Sequence, residues 1–263
     1  MNILIKSDLF LIYKRNLLFY IFIFLLFVNV LFAFLYTRNN IVYPNENDVN
    51  HINSLNFIIH IMLENSIFTF NMISIFLAII LFDFKFFKIF YYKKISLKEV
   101  FLSKIVFLNF VLLFIILVFC LVNLVLGLIL FDVPDLIFVY GKNEPISYFS
   151  FFVYVVKYYF ICYCSFSLIS SMTLFFYTIF SNKILTFSMI LCFLIAQFYT
   201  PKFSIILHQA QFKKILFEDI YFYKTIAYLL LNFITIFISY CLFTIFREKF
   251  LFKICNPLKK IIQ

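Results

Sequence analysis

Inside long apolar stretches, a carboxylate is the side chain most able to do chemistry, and this chain has one there, Glu64. A charge at that position costs about 2.5–3.5 kcal/mol on insertion scales, so it needs a reason to stay. Either it lines a wet cavity that receives a substrate or partner helix, or it sits near the interface, hydrated or paired locally. A second acid, Glu99, lies in the basic stretch ISLKEVFLSK, where Ser96 is placed to cap a short helix continuing to the third span. A carboxylate there can form bidentate bonds to a guanidinium or pair with neighbouring lysines. Ser165, Ser167, Ser170 and Ser171 cluster in one apolar run, a spacing that suits close helix packing better than nucleophilic catalysis. Asn65, Asn71, Asn109, Asn123, Gln197 and Asn232 are each expected to hydrogen-bond between helices.

The other reactive types make no constellation. His51, His60 and His208 share no ligand spacing with the six cysteines, and no pair of cysteines has CxxC spacing. No metal site and no disulfide framework is expected. No Walker loop, nucleophile elbow or zinc-binding helix occurs, so the reading is of a protein that is not an enzyme, with no catalytic residue and no cofactor.

The elements that must position these residues are membrane helices. The 263 residues are 65% apolar with mean hydropathy +1.07, and several apolar runs exceed the roughly 18 residues of a span. Two glycines, five prolines and 13% charge are too few for a soluble domain of this length. The runs are continuous rather than alternating, which excludes a β-barrel. The fold class is therefore all-α: a polytopic integral membrane protein with about six transmembrane helices. Residues 1–16 read as an amphipathic segment at the interface. Spans are expected near 17–36, 57–82, 105–131, 149–180, 184–200 and 225–246, and residues 247–263 form a basic tail. Residues 201–224 carry six charges and read as an outer interfacial element rather than a span. No cleavable signal peptide is expected, because the first apolar run is too long.

The net charge of +10 belongs to topology rather than to nucleic acid. With both termini on one side, that side holds fifteen of the 22 Lys and Arg residues, against six in the opposite loops. Both termini are then expected inside. The crowd of 44 Phe, with Ile, Tyr, Asn and Lys, is the composition of AT-rich genomes and points to a mitochondrial or reduced bacterial gene.

Glu64, Phe68, Thr69, Ser74 and Phe76 loosely follow the pattern E-x-x-F-T-x-x-K-x-S-F, with Asp83 where a proline would follow. Phe87-Lys88-Ile89-Phe90 then stands for a Y-Q-x-W element, and Glu99 for an acid in the next loop. Ser7, Leu9 and Arg15 match part of S-H-L-x-E-L-R-x-R, with Asp8, Leu11, Ile12 and Tyr13 departing. Ala196 through Pro201 looks like A-x-x-T-P. These pieces, spread over Ser7–Glu218, resemble the twin-arginine protein translocase C subunit (TatC). The resemblance implies a receptor and core subunit that moves folded proteins across an energy-transducing membrane. Asp8, Arg15, Asp83 and Glu99 would bind the signal peptide, and Glu64, Ser167 and Gln197 would meet partner helices. Partners would be TatA-type single-span subunits and signal-peptide-bearing proteins, within the lipid bilayer.

Two other plans fit the same layout. A six-span permease subunit of a type-2 ABC exporter would use Lys94–Lys104 as a coupling helix on a separate ATPase subunit. A structural subunit of an organellar respiratory complex would need no site. All three place the chain in the mitochondrial inner membrane or a bacterial cytoplasmic membrane, as a homo-oligomer or part of a larger complex.

Overall fold

The computed structural model describes residues 8–10, 12–14, 16–42, 52–67, 69–82, 96–134, 137, 146–199 and 220–259. The described helices are α1 (Leu17–Val42), α2 (Asn56–Ile67), α3 (Thr69–Leu81), α4 (Leu97–Leu130), α5 (Tyr148–Phe180), α6 (Lys183–Tyr199) and α7 (Ile220–Lys259). No strand occurs among the described residues; one isolated bridge joins Ile137 and Ile146. Four segments are long and apolar enough to cross a membrane: Leu17–Arg38, Lys98–Leu130, Tyr148–Phe180 and Thr225–Ile245. Thr69–Leu81 and Lys183–Ala196 are shorter apolar helices. The chain thus has the character of an integral membrane protein.

The helix ends follow from local chemistry. Asn53 caps α2, its side-chain oxygen accepting from the backbone of Leu55 at 3.1 Å and Asn56 at 2.8 Å. Ser147 caps α5 by accepting from the Ser150 amide at 3.2 Å. Ser181 closes α5 in the left-handed region (φ 53°), and Asn182 then caps α6 through the amides of Ile184 and Leu185. Ser96 precedes α4 without making a side-chain cap bond. The helix expected to start there and continue into the third span does so, as one continuous helix of 34 residues, on the order of 50 Å long.

Of the stretch expected as one span over 57–82, the described helices are α2 and α3, of 12 and 13 residues; Phe68 between them lies outside the described residues. The last span, expected over 225–246, is the apolar part of a helix that runs from Ile220 to Lys259. Ile220–Lys224 belong to that helix; the rest of the segment expected at the outer interface, 201–219, lies outside the described residues.

The fold is organised round α5. Of its apolar window 72% is buried, against 17% for α1 and for α7. It packs against α2, α3, α4, α6 and α7. Lipid supplies no hydrophobic force between helices, so close approach and hydrogen bonds must hold them. Small side chains on α5 allow that approach: Ser165, Ser167, Ser170, Ser171 and Thr173 are all buried. Tyr158 and Tyr159 donate from α5 to the carbonyls of Ile59 (3.3 Å) and Ile58 (3.1 Å) on α2. Phe70 of α3 packs on Phe119 of α4 and on Phe166 of α5, with ring centroids 4.8 and 5.1 Å apart.

At one end of the bundle, here the upper end, the backbone N–H of Ser54 donates to the Asp132 carbonyl at 3.1 Å, joining the start of α2 to the end of α4. Gly127 makes this join possible, because a methyl group on it would collide with the Ser54 carbonyl oxygen. At the lower end, Phe101 of α4 packs against Phe82 and against Tyr240 and Phe243 of α7. Between α1, α3 and α6 lies an apolar groove of about 800 Å³, with Leu17, Phe24, Ile73, Phe76 and Leu191 in its walls. α1 therefore stands partly away from the bundle.

Candidate functional site

The lower end holds an arrangement that composition gives no reason to expect. Residues 8–10 and 12–14 are helical and meet α1 through Asn16, whose φ of 48° turns the chain. Asn tolerates this left-handed geometry better than most residues. The Asn16 amide donates to the Tyr13 carbonyl at 2.9 Å, and Tyr20 donates to Asn16 at 3.1 Å, so α1 begins directly after the turn. The segment lies against α4 with its acid inward. Asp8 and Ile12 are buried, whereas Leu9, Phe10 and Tyr13 are exposed.

Asp8 meets Lys104, seven residues into α4, with Nζ and Oδ1 2.8 Å apart and both side chains almost wholly buried. Burial pushes the Asp8 carboxyl above its ordinary value, Lys104 pulls it back by charge and by hydrogen bond, and burial wins. The pair is thus a desolvated unit, and its two members depend on each other. The first turns of α4 are amphipathic in consequence. Val100, Phe101, Ser103 and Lys104 face the bundle, while Lys98, Glu99 and Leu102 are exposed.

The residues expected to bind a signal peptide are not gathered into one described pocket. Glu99 lies five residues before Lys104, about 140° round the helix from it, so it and Asp8 are on different sides of α4. Arg15 and Asp83 lie outside the described residues. Gln197 falls within the last turn of α6, its side chain outside the described part.

Ser167 sits at the centre of a polar spine through the bundle. Its hydroxyl donates to Asn109 Oδ1 of α4 at 2.5 Å and accepts from Asn232 Nδ2 of α7 at 2.6 Å. The Ser171 hydroxyl bonds Asn232 Oδ1, and Tyr163 donates to Asn109 Oδ1 at 3.4 Å. Asn109 and Asn232 are therefore the interhelical partners that their side chains led one to expect. Asn65 and Asn123 are not: each carboxamide N–H donates to the carbonyl four residues earlier in its own helix, at 2.8 Å. No base reaches the serines of the spine within these bonds, so its chemistry is that of a tie between three helices.

Glu64 is half-buried on α2, one turn below His60. The Tyr36 ring of α1 packs edge-on against Phe57 and His60 with centroids 6.1 Å away, and its hydroxyl lies within electrostatic reach of Glu64. Cys162 and Cys164 are buried free thiols, and no group of His, Cys, Asp or Glu able to hold a metal occurs among the described residues.

Sequence reading missed the role of Lys104, which it left among the lysines of the basic stretch ISLKEVFLSK. A signal was present: Lys104 directly abuts the apolar run from Ile105, and Asp8 sits among Leu9, Phe10 and Ile12. Two opposite charges embedded in apolar surroundings need each other. Comparison with protein-family models, curated proteins and solved structures gives no match.

Proposed function

We propose that the chain is a six-span permease subunit of a type-2 ABC exporter, with both termini in the cytoplasm or its organellar equivalent. The observation that carries this reading is the buried Asp8–Lys104 pair. It clamps the N-terminal segment to the first turns of α4 and makes one block of them at the end of the bundle. Lys98, Glu99 and Leu102 are displayed on the other side of that block. A separate ATPase docked there would push on a helix that runs unbroken from Leu97 to Leu130, so a movement at its base is carried the length of the bundle.

The same observation weighs against a signal-peptide receptor of the TatC type. The Asp8 carboxylate accepts from Lys104 and is shielded from solvent, so an incoming arginine pair would have to displace a buried lysine. The two span-two helices, α2 and α3, together with α6, supply the fifth and sixth crossings in this reading. The fifteen-to-six basic asymmetry supplies the orientation.

The test is purification of the tagged chain from its native membrane with mass-spectrometric identification of bound chains. An ATPase carrying a phosphate-binding loop should co-purify, and the double charge reversal Lys98→Glu with Glu99→Lys should release it while leaving the fold intact. Recovery of single-span TatA-type subunits, or of a twin-arginine signal peptide cross-linked at Glu99, overturns the exporter reading in favour of the translocase.

A further inference from the structure

The upper half of the bundle contains buried acceptors with nothing to accept. The side-chain oxygens of Asn29, Asn65 and Asn123 and the Tyr36 hydroxyl are buried and have no hydrogen-bond partner among the described residues. Asn29 is 1% exposed, Asn65 and Asn123 0%. Each orphaned acceptor costs about 1–3 kcal/mol in such a place, and four in one small region make a pattern.

Ring contacts show that they share one depth. α2 and α4 are antiparallel, with Phe57 facing Phe131 at 5.0 Å and Phe70, just beyond α2, facing Phe119 at 4.8 Å. Counting eight residues down from the first pair on both helices reaches Asn65 and Asn123, between the two ring contacts. α1 runs parallel to α4, with Phe22 against Phe114 at 6.3 Å. Seven residues up from that pair are Asn29 and Leu121, and Leu121 is about 3 Å of rise below Asn123. α1 and α2 are antiparallel through Tyr36 and Phe57. Seven residues along from that contact, Asn29 comes opposite Glu64. The intramembrane carboxylate thus stands at the level of the three carboxamides, and no described residue donates a hydrogen bond or an ion pair to it.

We infer that Asn29, Asn65 and Asn123, with the Tyr36 hydroxyl and the Glu64 carboxylate, form a binding site for a dehydrated alkali cation, sodium being the best match. The ligands are all hard oxygens, which suit alkali and alkaline-earth ions rather than soft metals. A single carboxylate balances a single positive charge. The three carboxamides are almost wholly buried, which suits a bare ion stripped of water rather than a bulky organic ammonium. A water molecule brings two donors, but it cannot neutralise Glu64. The Asn65 and Asn123 carboxamides are held by their N–H groups, which donate into their own helices and leave Oδ1 to serve as ligand. The site is independent of the exporter reading: it uses α1, α2 and the upper part of α4, not the block at the lower end.

The test uses the full chain in lipid nanodiscs and equilibrium binding of radiolabelled sodium. The wild type should bind sodium that excess unlabelled sodium displaces and choline does not. Glu64→Gln, Asn29→Leu and Asn123→Leu should each weaken binding at least about tenfold, equivalent to about 1.4 kcal/mol. Ser171→Ala, in the polar spine, should leave it unchanged. Heat-induced exposure of the buried thiols Cys162 and Cys164 gives a second reading, with sodium raising the wild-type midpoint above that in choline at equal ionic strength. Absence of displaceable sodium overturns the inference. So does Asn123→Leu that is more stable than wild type in every salt, because the orphaned oxygen is then merely a dry or water-filled defect. A near-isosteric Glu64→Gln that folds and binds sodium like the wild type also overturns it.

Discussion

Separating Asp8 from Lys104 is the sharpest perturbation the structure offers. In Asp8→Leu the Lys104 ammonium keeps its burial and loses its counter-charge; truncating one partner of such a pair costs about 3–5 kcal/mol. Lys104→Met leaves a group with a different way out. The abandoned carboxyl, which burial already holds above its ordinary 3.8, can escape by taking a proton. At neutral pH this costs about 1.4 kcal/mol for each pH unit by which the folded-state value, or neutrality if that is lower, exceeds the unfolded 3.8. Because the folded-state value lies above the unfolded one, Asp8 favours folding fully at acid pH and that contribution is lost as pH rises through the folded-state value. Lys104→Met should therefore gain stability on acidification from neutral pH, whereas Asp8→Leu, which lacks the carboxyl, should not share that gain. The double variant Asp8→Leu/Lys104→Met replaces the pair by apolar groups and should lie within about 1 kcal/mol of wild type or above it. The chain has no tryptophan but provides its own probe. Cys162 and Cys164 are buried at the bundle centre, so their labelling by a thiol reagent across a denaturing detergent titration reports opening. Single-variant losses that simply add in the double variant, with coupling below about 0.5 kcal/mol, would refute the claim that the pair is one desolvated unit.

Other outcomes follow from the same structure. Gly127→Ala should cost about 1–3 kcal/mol by the same labelling assay, since the new methyl meets backbone at Ser54 rather than a side chain that can turn away. Asn232→Leu removes one donor and one acceptor from the spine and leaves Ser167 and Ser171 short of partners; a loss of about 1–3 kcal/mol is expected, and an unchanged midpoint would deny the spine its tying role. In a background lacking the six native cysteines, Asn47→Cys should react with an impermeant thiol reagent from outside, and Lys260→Cys only after permeabilisation. The reverse pattern would end the proposed orientation.

Much of the architecture was legible before any coordinates, because a membrane leaves the backbone few options. An apolar run of some twenty residues must satisfy its peptide groups internally, so it becomes a helix wherever it packs. For that reason the stretches near 17–36, 105–131, 149–180 and 225–246 correspond to the four long apolar helices. The serines near Ser167 declared a packing face for a similar reason: small polar side chains in lipid need neighbours close by. The choice of partner was not legible. Lys104 and Asp8 are 96 residues apart, and nothing in a list of basic residues distinguishes the one that turns inward. Asn109 and Asn123 illustrate the same limit. They have the same side chain on the same helix, fourteen residues apart. Packing brings Ser167 of α5 up to Asn109. It leaves the Asn123 oxygen buried at the level of Asn29, Asn65 and Glu64, without a donor among the described residues. Sequence determines which groups must be satisfied; only the tertiary structure decides which of them meet, because meeting depends on the register and rotation of helices whose apolar surfaces would tolerate many alternatives.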